Sequence, residues 1–200
     1  MMERLLELDR ECLIRLNSFH SSWMDTVMMW VTRTDAWIPL YLFLIYLVIR
    51  SYRKDSWILL LGAAITILIA DQVTSQLMKP YFARLRPSQD PALIGIIHLV
   101  DGYKGGLYGF ASSHAANTFG AAFFCWTILR SRYKWMWLLF IWASLMTYSR
   151  IYLGVHYPGD ILVGMLVGIF ASFLALAFSG FLMQKLGRNE YHGFSREINE

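Results

Sequence analysis

The sequence predicts an all-α protein, a polytopic transmembrane helical bundle of about five spans with an amphipathic helix at its N-terminus. Two observations carry that expectation. Of 200 residues, 56% are hydrophobic and only 16% charged, a balance that disfavours a soluble domain. The apolar residues are also bunched into five long stretches, at 36–49, 57–77, 115–129, 135–148 and 161–183. A helix needs about 20 apolar residues to cross a bilayer core. The second and last stretches reach that alone, and the others reach it with flanking Trp, Tyr and small polar residues.

Taken in chain order, residues 3–17 place Leu5, Leu8, Cys12, Leu13 and Leu16 at helical spacing, with Glu3, Arg4, Glu7, Arg10, Glu11 and Arg15 on the other side. Such a helix lies flat on a membrane surface. The stretch 23–31 is too short to span and carries Asp25. The start mixes acids and bases without an uninterrupted apolar core, which argues against a cleavable signal peptide. A single domain covers 1–200: an interfacial segment at 1–34, a transmembrane bundle at 36–185 and a cytoplasmic tail at 186–200, with no internal repeat.

Charge sets the orientation. The net charge of +4 is spread over span ends instead of forming one stripe, which argues against a nucleic-acid partner. Arg50, Arg53 and Lys54, then Arg130, Arg132 and Lys134, then Lys185, Arg188 and Arg196 all fall on one side, which the positive-inside rule makes cytoplasmic. The connections 79–110 and 151–160 then share the opposite face, with the N-terminus. Pro80, Pro87, Pro91 and five glycines in 79–110 predict a loop there. Cys12 and Cys125 are too differently placed to form a disulfide framework.

Polar residues cluster where a membrane protein ought to avoid them, at the span ends of that face. Span two runs out into Lys79, Arg84, Arg86 and Pro87; span three opens with Ser112, Ser113 and His114; span four runs into Ser149, Arg150, His156 and Asp160. Guanidinium forks match pairs of phosphate oxygens, and an ammonium adds a point charge. Ser112 or Ser113 stands where an N-cap would, aiming the first-turn N–H groups of span three at the same anion. Phosphoryl transfer needs that kind of charge stabilisation most. Two histidines divide the rest: one attacks phosphorus and the other protonates the leaving oxygen. Asp160, four residues beyond His156 and one turn away if a helix starts near Pro158, can hold one ring nitrogen. That pairing makes His156 the nucleophile and His114 the acid.

Lys79 with Arg86-Pro87, Ser112 with His114, and Ser149-Arg150 with His156 and Asp160 together resemble the signature of the type 2 phosphatidic acid phosphatases. The resemblance implies a helical bundle, hydrolysis through a phosphohistidine without metal or other cofactor, Lys79, Arg86 and Arg150 as phosphate ligands, His114 as acid, and lipid phosphates as substrates. The family's middle block is usually Pro-Ser-Gly-His; here Ala111 and Ser113 replace the Pro and Gly, which puts the Ser113 side chain beside the phosphate pocket. Undecaprenyl diphosphate is the expected substrate of a chain this short, with phosphatidylglycerophosphate, phosphatidic acid and lipid A phosphates as alternatives. The site is expected to face the periplasm or exterior of a bacterial inner membrane. A lipid-phosphate or anion transporter is the competing class, and the sequence leaves the oligomeric state open. Outside the signature, Asp71 is read as a partner for a polar residue of a neighbouring span, Asn117 and Thr118 as bonds between helices, Tyr148 and Tyr152 as interface aromatics, and His98 as a solvated loop residue. Arg84 could touch phosphate, though the signature does not require it.

Overall fold

The computed structural model describes residues 1–188, and Arg196 with most of the expected tail lies outside them. Its elements are α1 (Met2–Asn17), α2 (Ser22–Val31), α3 (Ile38–Tyr52), α4 (Ser56–Asp71), α5 (Lys79–Phe82), α6 (Ser113–Leu129), α7 (Leu138–Tyr152) and α8 (Pro158–Lys185). There is no strand among the described residues, only one isolated bridge between Leu85 and Tyr108. The five expected apolar stretches map onto α3, α4 with its extension, α6, α7 and α8. By length and hydropathy, Asp35–Phe82 and Pro158–Lys185 qualify as membrane-crossing.

Side chains sort by helix. α6 is central and packs against α4, α7 and α8. The outer faces of α3, α4, α7 and α8 present Leu42, Phe43, Leu68, Ile141, Leu166, Phe170 and Phe181, all more than 40% exposed. Soluble monomers rarely expose so many large apolar side chains on neighbouring helices, and faces of this kind suit contact with lipid. The chain is an all-α transmembrane bundle.

One expectation needs correcting. Pro80 was expected to lie in the loop, yet the helix passes through it: a π-helical run (Gln72–Met78) joins α4 to α5, and the chain leaves helix only at Ala83, which has φ +45°. The wider π turn opens the backbone ladder just where the proline ring would clash.

The tightest packing is between α6 and α8, which run parallel. Gly164, Gly168 and Ser172 on α8 face Ser112, Ala116 and Gly120 on α6. A Cβ added at Gly168 would collide with the carbonyl oxygen of Ala116, and the Ser172 hydroxyl donates to Gly120 O at 2.7 Å. Small residues four apart let membrane helices approach backbone to backbone.

The two ends of the bundle differ in chemistry. At one end Arg132 bonds the Ser51 carbonyl, Tyr52 bonds Ile128 O, and Arg188 pairs with Asp55 at 3.2 Å, so the three basic connections meet. At the other, α1 docks through buried Leu13, packed with Leu93, Ile151 and Tyr157. Asn17 Nδ2 donates to the terminal carbonyls of α7, Ile151 at 3.2 Å and Tyr152 at 2.7 Å. The last carbonyls of a helix have few intrahelical donors, and Ile151 O also accepts the Gly154 N–H at 2.9 Å.

Gly168→Ala should lower stability by about 1–3 kcal/mol through overpacking of the α6–α8 seam, read as an earlier midpoint in denaturant titration of the detergent-solubilised protein. An unchanged midpoint would contradict the close approach.

Candidate active site

α8 begins at Pro158, a position whose missing N–H would be unpaired in any case, with extended Tyr157 as its N-cap and Asp160 in its first turn. Asp160 Oδ2 accepts the Tyr157 N–H at 3.1 Å and lies 3.3 Å from His156 Nδ1. Both side chains are sealed from solvent, His156 at 1% exposure and Asp160 at 0%. The other carboxylate oxygen accepts from Arg84 Nη1 at 2.9 Å. Arg84 lies 3.9 Å over the Tyr157 ring and donates from Nη2 to Asp9 Oδ2 at 2.8 Å. The remaining oxygen of Asp9 accepts the Gly159 N–H at 2.7 Å. A chain Asp9–Arg84–Asp160–His156 thus runs from α1 to the imidazole. With Nδ1 engaged, Nε2 is the ring nitrogen left for chemistry. Burial, then the charges of Arg86, Arg150 and Lys79, push the His156 pKa well below 6.5, so the ring is neutral.

Arg86 is carried by a return of the loop. Arg86 N–H donates to Leu107 O at 3.0 Å and Gly109 N–H to Arg84 O at 2.9 Å. The guanidinium donates from Nε to Tyr108 O at 3.1 Å, while its buried Nη1 has no partner among the described residues. Gly105 has φ +64°, and a Cβ there would stand 2.8 Å from Arg86 Nη1, so glycine lets the loop close on the cation. Arg150, 2% exposed near the end of α7, donates to Thr32 Oγ1 at 2.6 Å and to the Tyr103 hydroxyl at 3.4 Å, and its buried Nε is likewise without a partner. Lys79 Nζ donates to Ser113 Oγ at 2.6 Å, and Thr74 donates to the same oxygen at 3.0 Å. His114 follows in the first turn of α6, with Arg150, His156, Arg86 and Lys79 as its electrostatic neighbours. Buried guanidinium N–H groups without acceptors are costly. A tetrahedral oxyanion supplies those acceptors.

A family model described as the PAP2 superfamily matches residues 55–184, which span all of these side chains except Asp9 and Thr32. The chain belongs to that superfamily. It is an integral-membrane lipid phosphatase, a hydrolase. Among relatives of this PAP2 protein, a lipid A 4'-phosphatase of Bacteroides thetaiotaomicron is 35% identical over 87% of this chain and 78% of its own length. One of Porphyromonas gingivalis, also a lipid A 4'-phosphatase, is 34% identical over 84% of this chain and 71% of its own. An undecaprenyl-diphosphatase of Sulfolobus acidocaldarius is 34% identical over 72% of this chain and 64% of its own. The crystal structure of a PAP2-type phosphatidylglycerolphosphate phosphatase from Bacillus subtilis has the same fold, with a TM-score of 0.64 at 22% identity, covering 88% of this chain and 87% of that one.

Lys79, Arg86, Ser113, His114, Arg150, His156 and Asp160 meet at one end of the bundle. Ser112 is placed differently from them: fully buried, it caps α6, its hydroxyl accepting from Ala115 N–H at 3.4 Å, while its own N–H donates to Asp160 O at 3.0 Å. Arg84 spends its donors on two carboxylates. Asp71 departs from expectation, its partner being Ser75 of the same helical run, which donates at 3.1 Å. Thr118 bonds within α6, donating to His114 O at 2.7 Å, instead of between helices. His98 lies in a separate cluster instead of in solvent, with Nε2 2.9 Å from Asp25 Oδ1 and its ring stacked 3.9 Å from that of His20. The Tyr152 hydroxyl donates to that same Asp25 oxygen at 2.5 Å.

Sequence reasoning missed Asp9, Thr32 and Tyr103. The glycine-rich run around Tyr103 was a usable signal, since glycines permit close backbone approach. Asp9 gave none, lying among the other charges of the polar face of α1.

Arg84→Ala removes one charge-assisted hydrogen bond from Asp160, worth about 1.5–3 kcal/mol, so kcat should fall roughly 10- to 100-fold with little change in KM. Asp9→Ala should lower kcat less and the unfolding midpoint more. Wild-type kcat in Arg84→Ala would break the link to His156.

Proposed function

We propose that the protein hydrolyses a lipid phosphate in two steps at His156. Nε2 attacks phosphorus, the P–O bond to the lipid breaks, and the leaving oxygen takes a proton from His114. Water, deprotonated by His114, then attacks the phosphohistidine, freeing phosphate and returning His156 neutral. The observation that carries this reading is the buried His156–Asp160 pair, 3.3 Å apart, among three cations, two of which keep unpartnered guanidinium nitrogens. Lys79, Arg86 and Arg150 are assigned to the equatorial oxygens, Ser113 to orienting Lys79, and Ser112 to holding the first turn of α6. A phosphate ester also brings the negative charge that lets His114 carry a proton among these cations.

For the substrate, the two lipid A 4'-phosphatase relatives favour a phosphomonoester on a lipid A-type sugar headgroup over the undecaprenyl diphosphate expected from the sequence. The diphosphate is the second reading, supported by the Sulfolobus relative. Rates on lipid A, undecaprenyl diphosphate and phosphatidylglycerophosphate with one purified preparation decide between them. His156→Ala should cut phosphate release by at least about a thousandfold, and excess chelator should leave the wild-type rate unchanged. Release persisting in His156→Ala would sink the nucleophile assignment, and transport surviving it would favour a carrier.

For orientation, the basic connections at the far end support placing that end in the cytoplasm and the site on the periplasmic side of the inner membrane, with five crossings. Cys12 on α1 is exposed and Cys125 buried, so the native thiols report on this. A membrane-impermeant maleimide added to intact spheroplasts should label Cys12. Labelling only after lysis would invert the topology.

A further inference from the structure

Asp71 is a charge that the chemistry at His156 does not use. It lies within the apolar segment Asp35–Phe82, where an ionisable side chain is costly and marks a functional position by default. Its Oδ1 accepts from the neutral Ser75 hydroxyl at 3.1 Å. Ser75 Oγ stands 2.9 Å from Ser113 Oγ, in the first turn of α6, and that oxygen is the one that takes the Lys79 Nζ donor at 2.6 Å. Lys79, Ser113, Ser75 and Asp71 thus form one line of polar contacts that crosses from the π-helical run to α6 and back.

Proton counting fixes the direction of that line. An ammonium only donates, a carboxylate only accepts, and each hydroxyl has one hydrogen. Ser75 gives its hydrogen to Asp71, so the contact between the two serines is donated by Ser113. Having spent its hydrogen there, Ser113 is left to accept, from Lys79 on one lone pair and from Thr74, 3.0 Å away, on the other. Every donor along the line points from the cation towards the carboxylate. Successive hydrogen bonds in that arrangement polarise and strengthen one another.

Lysine carries its charge on a flexible four-carbon stem, so an ammonium without a fixed partner sweeps through a pocket instead of pointing at one place in it. We propose that Asp71 is a positioning residue for Lys79: its carboxylate, acting through Ser75 and Ser113, holds the ammonium in one place and leaves the remaining N–H groups aimed at the substrate phosphate. The inference rests on the assignment of Lys79 to a phosphate oxygen made above. Asp71 touches no substrate and acts three hydrogen bonds away from Nζ. The same line gives an intramembrane carboxylate a cation to work against, which accounts for its place in an apolar segment.

The probe is vanadate, a mimic of the transition state, tested as a competitive inhibitor of p-nitrophenyl phosphate hydrolysis by the full chain in nanodiscs. Ser75→Ala interrupts the line and should raise the vanadate Ki about tenfold, the scale of one hydrogen bond to a charged system. Asp71→Asn keeps an acceptor but removes the charge, and should raise Ki at least about threefold. Ser75→Thr retains the hydroxyl and should keep Ki within about twofold of wild type. Because the line acts only through Lys79, neither Ser75→Ala nor Asp71→Asn should change Ki further in a Lys79→Met background. A Ki within about twofold of wild type in both single variants overturns the proposal, even where the unfolding midpoint falls, since a purely structural role lowers that midpoint alone. Effects that add to that of Lys79→Met overturn it as well. A wild-type Ki in Lys79→Met itself would sink the phosphate-ligand assignment along with the line, so the two failures are distinguishable.

Discussion

The seam between α6 and α8 is the constraint on which the site depends. Ser112, Ala116 and Gly120 meet Gly164, Gly168 and Ser172 at so short a distance that one added methyl group at Gly168 strikes the opposing backbone. Because the helices run parallel, their first turns come to lie side by side. Ser112 N–H reaches the Asp160 carbonyl at 3.0 Å, and His114 becomes an electrostatic neighbour of His156. Two histidines 42 positions apart in the sequence are thereby brought together by residues that have almost no side chain.

Upon this seam sits an uneven charge balance. Arg84, Arg86, Arg150 and Lys79 gather around one buried carboxylate, Asp160, and only Arg84 spends its charge on it. Burial and the charge of Arg150 both press the Arg86 guanidinium below its ordinary pKa, so the cluster carries more positive charge than its own acids offset. Such a surplus in low-dielectric surroundings favours an anion over a neutral lipid. Asp9 relieves part of it from α1, which ties the N-terminal helix electrically to the core of the fold.

Much of this was legible in the sequence. Apolar runs with basic ends predicted the helices and brought three connections to one end, and Lys79, Arg86, His114, Arg150, His156 and Asp160, far apart in the chain, lie together in the structure. The helix start at Pro158 followed from proline's fixed φ and missing donor. Other features were not readable, each for a physical reason. The spacing of Gly164, Gly168 and Ser172 is visible in the chain, but nothing in it names α6 as the partner. Asp9 and Gly159 meet across 150 positions, with no periodicity to link them. Proline's usual effect misplaced the end of the second apolar helix, because a π turn next to Pro80 removes the clash on which that rule rests.

That π-helical run, Gln72–Met78, gives Lys79 its aim. The wider turn rotates everything beyond it relative to α4, so that the ammonium meets Ser113 on α6 instead of the bilayer. Deleting one residue anywhere in the run, so that ordinary α geometry resumed, would turn Lys79 by about 100° around the helix axis. Composition, hydropathy and every signature residue would survive such a deletion, and the lysine would face hydrocarbon. In this fold, chain length within one helix is part of what aims Lys79 at α6, which a motif written only in residue types leaves unstated.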